Sequence, residues 1–172
     1  TESVSYPDGT MSFYEYAYED QGGGVTNKIT ISAAGAPNGT ETGIVDGTRT
    51  ITVNGPLGEM ISEETIDILS DITIAKTTYS EHDDFGRAGK ATYLDGTFET
   101  WAYGCCNVDL HIDRVGIASS FGYDSLKRLT TATRHVGGAT APGVTWIFTN
   151  DAEGNLLETV RQGTNGTQHV LL

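Results

Sequence analysis

The sequence predicts an all-β fold: many short antiparallel strands in a repeat ribbon of hairpins, not a closed compact domain. Three observations carry this. Thr (25) and Gly (22) dominate the 172 residues, a balance of strand formers and turn formers. Apolar residues recur with period two in several separate runs. Six Asx-Gly dipeptides punctuate the chain: Asp8-Gly9, Asn38-Gly39, Asp46-Gly47, Asn54-Gly55, Asp95-Gly96 and Asn165-Gly166. Glycine accepts the positive φ of hairpin turns, and Asn or Asp tolerates it next best.

Taken in order, Tyr14, Tyr16 and Tyr18 form an aromatic ladder on one face of a first strand. Residues 21–24 and 33–42 read as longer loops. Arg49, Ile51 and Val53 alternate with Thr48, Thr50 and Thr52. The next stretch carries two competing periods. Ile61, Thr65, Ile68, Leu69 and Ile72 fit a helical stripe, while Met60, Ser62, Glu64, Ile66 and Ile68 fit a half-buried strand. Its Ile and Thr content favours the strand. Further on, Trp101 and Tyr103 share a face, and Val108, Leu110 and Ile112 alternate with Asn107, Asp109, His111 and Asp113. Leu156, Glu158 and Val160 alternate with Leu157, Thr159 and Arg161 in the last clear strand.

Charge narrows the partners. Ten basic against 23 acidic residues leave a net charge of −13, which disfavours nucleic acid and anionic membrane surfaces. No apolar run approaches the ~18 residues of a membrane span, so no membrane insertion is expected. Two cysteines are too few for a disulfide framework. The chain opens at Thr1 without a basic and apolar leader, which is expected of a processed chain or of a segment.

Internal similarity is the most specific signal. Tyr6-Pro7-Asp8-Gly9-Thr10-Met11 aligns with Tyr93-Leu94-Asp95-Gly96-Thr97-Phe98. Tyr123-Asp124-Ser125-Leu126-Lys127-Arg128-Leu129 aligns with Asn150-Asp151-Ala152-Glu153-Gly154-Asn155-Leu156 and with His82-Asp83-Asp84-Phe85-Gly86-Arg87. Asn54-Gly55-Pro56-Leu57-Gly58-Glu59 is a degenerate copy. The whole chain, 1–172, reads as a single repeat region with units near 6–18, 46–60, 82–103, 123–136 and 150–163.

These units resemble the YD repeats of the rearrangement-hotspot (RHS) family, whose unit reads Tyr-Asp-x-x-Gly-Arg-Leu before an alternating strand. Lys127 stands where that pattern has Gly, and Asn150 where it has Tyr. The resemblance implies a β ribbon that spirals into a hollow shell: a toxin shell in bacterial members, part of an adhesion receptor in the animal teneurins. It also implies an extracellular or cell-surface, secreted location. Family shells run to many hundreds of residues; no segment here resembles their self-cleaving core region, and no toxin cargo is expected within this chain.

Candidate chemistry is sparse. The carboxylates sit in turn dipeptides or on polar strand faces, where turn capping explains them without a paired-carboxylate mechanism. Asp83-Asp84 and Asp109/Asp113 lack the ligand spacing of a calcium loop. His82, His111, His135 and His169 are scattered singly, with no zinc-ligand spacing. No catalytic residue, metal or cofactor is expected. Cys105-Cys106 closes a vicinal disulfide, bridges to another chain, or stays reduced as two buried thiols. Tyr14, Tyr16, Tyr18, Trp101, Tyr103 and Trp146 are either cross-strand packing or a glycan platform. Asn38 and Asn165 head acceptor sequons for glycosylation.

The expectation is a non-catalytic structural β scaffold. Its partners would be further copies of itself, joined head to tail through open strand edges into a fibre, tube or filament by self-assembly, or the rest of a longer repeat chain. The alternative is a cell-surface adhesion or carbohydrate-binding module.

Overall fold

The computed structural model describes residues 2–171. Strand is its dominant regular structure, with no helix, and every described pairing is antiparallel. The chain forms two compact units, Thr1–Thr97 and Phe98–Leu172.

In the first unit β1 (Glu2–Ser5), β2 (Met11–Gly22), β3 (Val25–Pro37), β4 (Ile44–Asn54), β5 (Met60–Asp67), β6 (Ile72–Ser80) and β7 (Lys90–Tyr93) pair in chain order. In the second, β8 (Phe98–Tyr103), β9 (Val108–Ile112), β10 (Ala118–Tyr123), β11 (Leu129–His135), β12 (Gly143–Asn150), β13 (Leu156–Gln162) and β14 (Gln168–Val170) do the same. No described pairing returns β7 to β1 or β14 to β8, so neither meander closes on itself.

Register explains the alternation seen in the sequence. In the first unit, Tyr14, Ser32, Thr50 and Thr65 lie side by side across four strands. The opposite face carries Phe13 beside Ala33, and Ile31 beside Ile51. Thr50 and Thr65 hydroxyls meet at 3.3 Å, and Thr133 and Thr145 at 2.9 Å in the second unit; such cross-strand pairs are what a Thr-rich ladder supplies. The core is thin. Met11, Ile66, Ala91 and Ala118 are the buried apolar residues among those described, with Ser12 and Asn27 beside them. Each strand packs chiefly on its immediate neighbours, so the apolar side chains are half-buried by lateral contact alone.

Three expectations need correction. Residues 33–42 are not a long loop: β3 runs through Pro37, and only 38–43 turn. Residues 21–24 are likewise not a long loop but the tight tip of the β2–β3 hairpin, with Gly22, Gly23 and Gly24 all at positive φ. Asp46-Gly47 is not a turn. It lies within β4, where Gly47 pairs with Gly35 of β3. A Cβ on Gly35 would stand 2.7 Å from the Gly47 Cα, and one on Gly47 2.8 Å from the Gly35 Cα, so two glycines let the backbones approach. The competing stripe from Ile61 to Ile72 resolves as strand: it spans β5, a turn and the start of β6, and Leu69 is 73% exposed.

Candidate functional site

The most elaborate chemistry lies at the hairpin tips. Eight tips share one five-residue turn: residues 6–10, 55–59, 83–87, 93–97, 113–117, 124–128, 151–155 and 163–167. In each, the first N–H donates to the fifth carbonyl and the fourth N–H donates to the first carbonyl. The fourth residue takes positive φ: glycine in seven of them, and Lys127 at +64° in the eighth. This is a three-residue hairpin loop with a left-handed last position.

Two side-chain solutions recur at the spare amides, and in the 55–59 turn Glu59 Oε2 instead accepts from the Leu57 amide at 2.8 Å. In the Tyr-x-Asp-Gly-Thr turns, Asp8 Oδ1 accepts from the Thr10 amide (3.0 Å) and hydroxyl (2.7 Å), and Asp95 accepts from Thr97 at 3.0 and 2.6 Å. In the other solution the acid opens the turn. Asp124 Oδ1 accepts from the Leu126 and Arg128 amides at 2.9 Å each, while Oδ2 takes the Arg128 Nε at 2.6 Å. Asp83 repeats this with Phe85 and Arg87, at 2.9, 3.0 and 2.7 Å. Asp151 repeats it with Glu153 and Asn155, the Asn155 amide group replacing the guanidinium at 2.9 Å. Asp113, with Val115 and Ile117, is a further copy that sequence comparison missed. Its only signal is Asp followed by Gly three residues later; Ile112 stands where the aromatic would, and Ile117 where the Arg four residues after the acid would. These bonds hold the Asp83, Asp124 and Asp151 carboxyls below the ordinary range. For Asp124 the Arg128 amide leads; for Asp151 the Asn155 side chain leads; for Asp83 burial pushes up and the Arg87 and Phe85 bonds outweigh it.

The residue before the acid reaches sideways. Tyr123 Oη donates to the Val108 carbonyl at 2.9 Å, Asn150 Nδ2 to the Leu129 carbonyl at 3.4 Å, and His82 Nε2 to the Met60 carbonyl at 2.9 Å. Each acceptor is the first residue of the preceding strand. Arg128 Nη1 also donates to the Asp151 carbonyl of the next tip at 2.5 Å. Burial, then the Asp109 charge, raises the Tyr123 phenol's pKa, so it stays a donor. Adjacent tips on one end of each unit are therefore laced together.

Cys105 and Cys106 occupy a separate tip between β8 and β9, closed by the Gly104 amide on the Asn107 carbonyl at 3.0 Å. Both are exposed and outside any disulfide, with their sulfurs 2.6 Å apart. Asn107 Nδ2 donates to the Lys127 carbonyl at 3.3 Å, tying this tip to the next. The Cys106 sulfur first and the Lys127 ammonium second hold the Cys105 thiol below its ordinary range, against the opposing Asp109 charge.

The remaining candidates are dispersed. Tyr14, Tyr16 and Tyr18 lie in the first unit; Trp101, Tyr103 and Trp146 lie in the second. Tyr16 is 51% and Tyr18 72% exposed, and Lys28 Nζ stands 5.3 Å from the Tyr16 ring centroid. Trp101 stacks on His111 at 5.4 Å, and His111 Nε2 meets Glu99 at 2.8 Å. Trp146 lies between Ala132 and Arg161 in register. Asn38 Oδ1 caps its own loop, accepting from the Thr42 amide at 2.9 Å, and Asn165 Oδ1 accepts from the Thr167 amide at 3.0 Å. Among the described residues no cluster of three metal-ligating side chains forms.

One pair was invisible in the sequence. Ser120 Oγ lies 2.8 Å from His135 Nε2, and His135 Nδ1 lies 2.8 Å from the Ala141 carbonyl. A carbonyl only accepts, so Nδ1 carries the proton and, in the neutral ring, Nε2 accepts from the serine. The two bonds join Ser120 of β10 to His135 at the end of β11 and His135 to the Ala141 carbonyl, so the pair acts as a clasp on the 136–142 loop. Compared with known proteins, the chain matches no protein-family model and none of the curated proteins.

Proposed function

We propose that this chain is a non-catalytic structural β scaffold, a length of YD-type repeat ribbon whose strand edges pair with further repeats. The observation that carries the reading is the lateral lacing of the tips: Tyr123, Asn150 and His82 each bond the preceding strand, and Arg128 bonds the next tip. The repeat's own signature residues are thus spent on holding one hairpin to the next, and none of these side chains is left as a reacting group. The outer strands support the same reading. Every residue of β1 and of β14 is exposed, and an exposed edge templates pairing with another strand. The partner is another set of such repeats, in a longer chain of the same kind or in a second copy joined head to tail in an extracellular fibre or tube. Head-to-tail joining is heterologous and propagates.

The test is sedimentation of the 172-residue chain across salt concentrations. A net charge of −13 opposes association, so screening is expected to strengthen it. A monomer at all salt concentrations, with β1 and β14 protected from hydrogen exchange, would overturn the edge-pairing role. A second reading, a glycan-binding or adhesion module, rests on the exposure of Tyr16 and Tyr18. It predicts retention on a glycan array that Tyr18→Ala abolishes.

A further inference from the structure

We propose that the Cys105-Cys106 tip is a site of reversible modification by low-molecular-weight disulfides, with Cys105 the attacking sulfur and Cys106 the resolving one. Four observations converge. Both thiols are exposed at the apex of a closed turn, open to a small reagent. Adjacency in the chain keeps the second sulfur beside the first, at 2.6 Å. Lys127 comes from the neighbouring tip to the Cys105 sulfur and favours its thiolate. The Lys127 backbone is held beside the tip by the Asn107 bond to its carbonyl, in a left-handed conformation. A thiolate beside a cation, exposed and next to a resolving cysteine, is the arrangement that selects a thiol for exchange.

The chemistry balances without a further reagent. The Cys105 thiolate attacks one sulfur of the disulfide RSSR; the Cys105–S–SR bond forms, the S–S bond of RSSR breaks, and RS⁻ leaves and takes up a proton. The Cys106 thiol then loses its proton, attacks the Cys105 sulfur and expels the second RS⁻. The two cysteines are oxidised to a vicinal disulfide and RSSR is reduced to two RSH. Reversal is built in. Consecutive Cα atoms stand about 3.8 Å apart across a trans peptide, short of the roughly 4.4 Å at which ordinary disulfides begin. The bridge is therefore strained and open to reduction by the same thiols.

The experiment treats the reduced full chain with excess oxidised glutathione near neutral pH and follows intact mass with time. The wild type is expected to end lighter by two hydrogens, with only a transient single adduct. Cys106→Ser is expected to accumulate one glutathione on Cys105, and Cys105→Ser to react severalfold more slowly. Lys127→Met is expected to slow the first adduct about threefold, because the lost thiolate is partly offset by the higher nucleophilicity of a more basic sulfur. Far-UV circular dichroism of each variant should match the wild type. Stable adducts on the wild type without ring closure, or equal rates for Cys105→Ser and Cys106→Ser, would overturn the proposal. A wild-type rate for Lys127→Met would overturn the part assigned to the ammonium.

Discussion

Replacing Gly35 or Gly47 with Ala tests the pairing of β3 with β4 where the sequence pointed to a loop and a turn. A Cβ on Gly35 falls 2.7 Å from the Gly47 Cα and closer still to the Asp46 carbonyl oxygen; both obstacles are backbone. The strands must part by about 1 Å to restore ordinary contact. That weakens the flanking ladder bonds, about two at ~1 kcal/mol each. The φ of +147° adds about 1 kcal/mol of backbone strain for an L side chain. The expected loss is about 3 kcal/mol for either substitution. With a urea slope of about 2 kcal/mol/M, the midpoint falls by roughly 1.5 M at unchanged slope. The double variant should lose less than the sum, because strands parted for one methyl already accommodate the other. Gly23→Ala is the control: it meets open space at φ +65° and bears only the left-handed cost, about 1 kcal/mol. Unchanged midpoints for both single variants, with amides of 33–36 and 44–48 exchanging as in the wild type, would refute the close pairing.

Further outcomes follow from the tips. Lys127→Gly relieves the one non-glycine left-handed position among the eight shared turns, so its urea midpoint should rise even as Cys105 alkylation slows. Tyr123→Phe deletes the donor to the Val108 carbonyl and should cost about 1 kcal/mol by denaturant unfolding. Acidification should destabilise the fold. Asp8, Glu64, Asp67, Asp83, Asp124 and Asp151 all have carboxyls lowered by folding. Their contribution is complete above the unfolded values near 4 and is lost as pH falls through the folded ones. The midpoint should therefore drop from pH 5 to pH 3, with a shallower drop in Asp124→Asn.

Much of the fold was legible because the turns write themselves in short motifs. Tyr6–Met11 and Tyr93–Phe98 align as sequences and form the same turn with the same Asp–Thr bonds. His82 stands at the aromatic position of its unit and reaches the Met60 carbonyl as Tyr123 reaches that of Val108. What failed was local chemistry overruled by pairing. Asp46-Gly47 carries hairpin residues, yet the facing Gly35 makes that glycine a close-approach site. Ala33 and Ala34 lack strand propensity but extend a ladder that Ile29 and Ile31 begin. The Ser120–His135 clasp depends on β10 and β11 lying side by side, with Ser120 opposite Thr133, which no spacing in the sequence encodes. The cysteine pair was legible as a pair, but Lys127 beside it was not, since it arrives from a different hairpin.

The lacing of the tips answers a problem the thin core creates. A strand buried on one face has its register fixed, because a slip of one residue turns its apolar set outward. Here large apolar residues remain open: Ile72 is 61% and Ile74 55% exposed on β6, Leu156 45% and Leu157 58% on β13. Burial alone thus penalises a slip weakly, and a slip of two residues, which keeps each side chain on its face, hardly at all. The sideways bonds have no such tolerance. Tyr123, Asn150 and His82 each reach a single named carbonyl at the start of the preceding strand, and a shift of two residues along a strand moves that carbonyl by about 7 Å. The tips therefore fix the register of the strand that leads into each of them against the strand before it. This explains why the side chains that recur most closely in this sequence sit at the turns, while the strands between them differ widely in sequence.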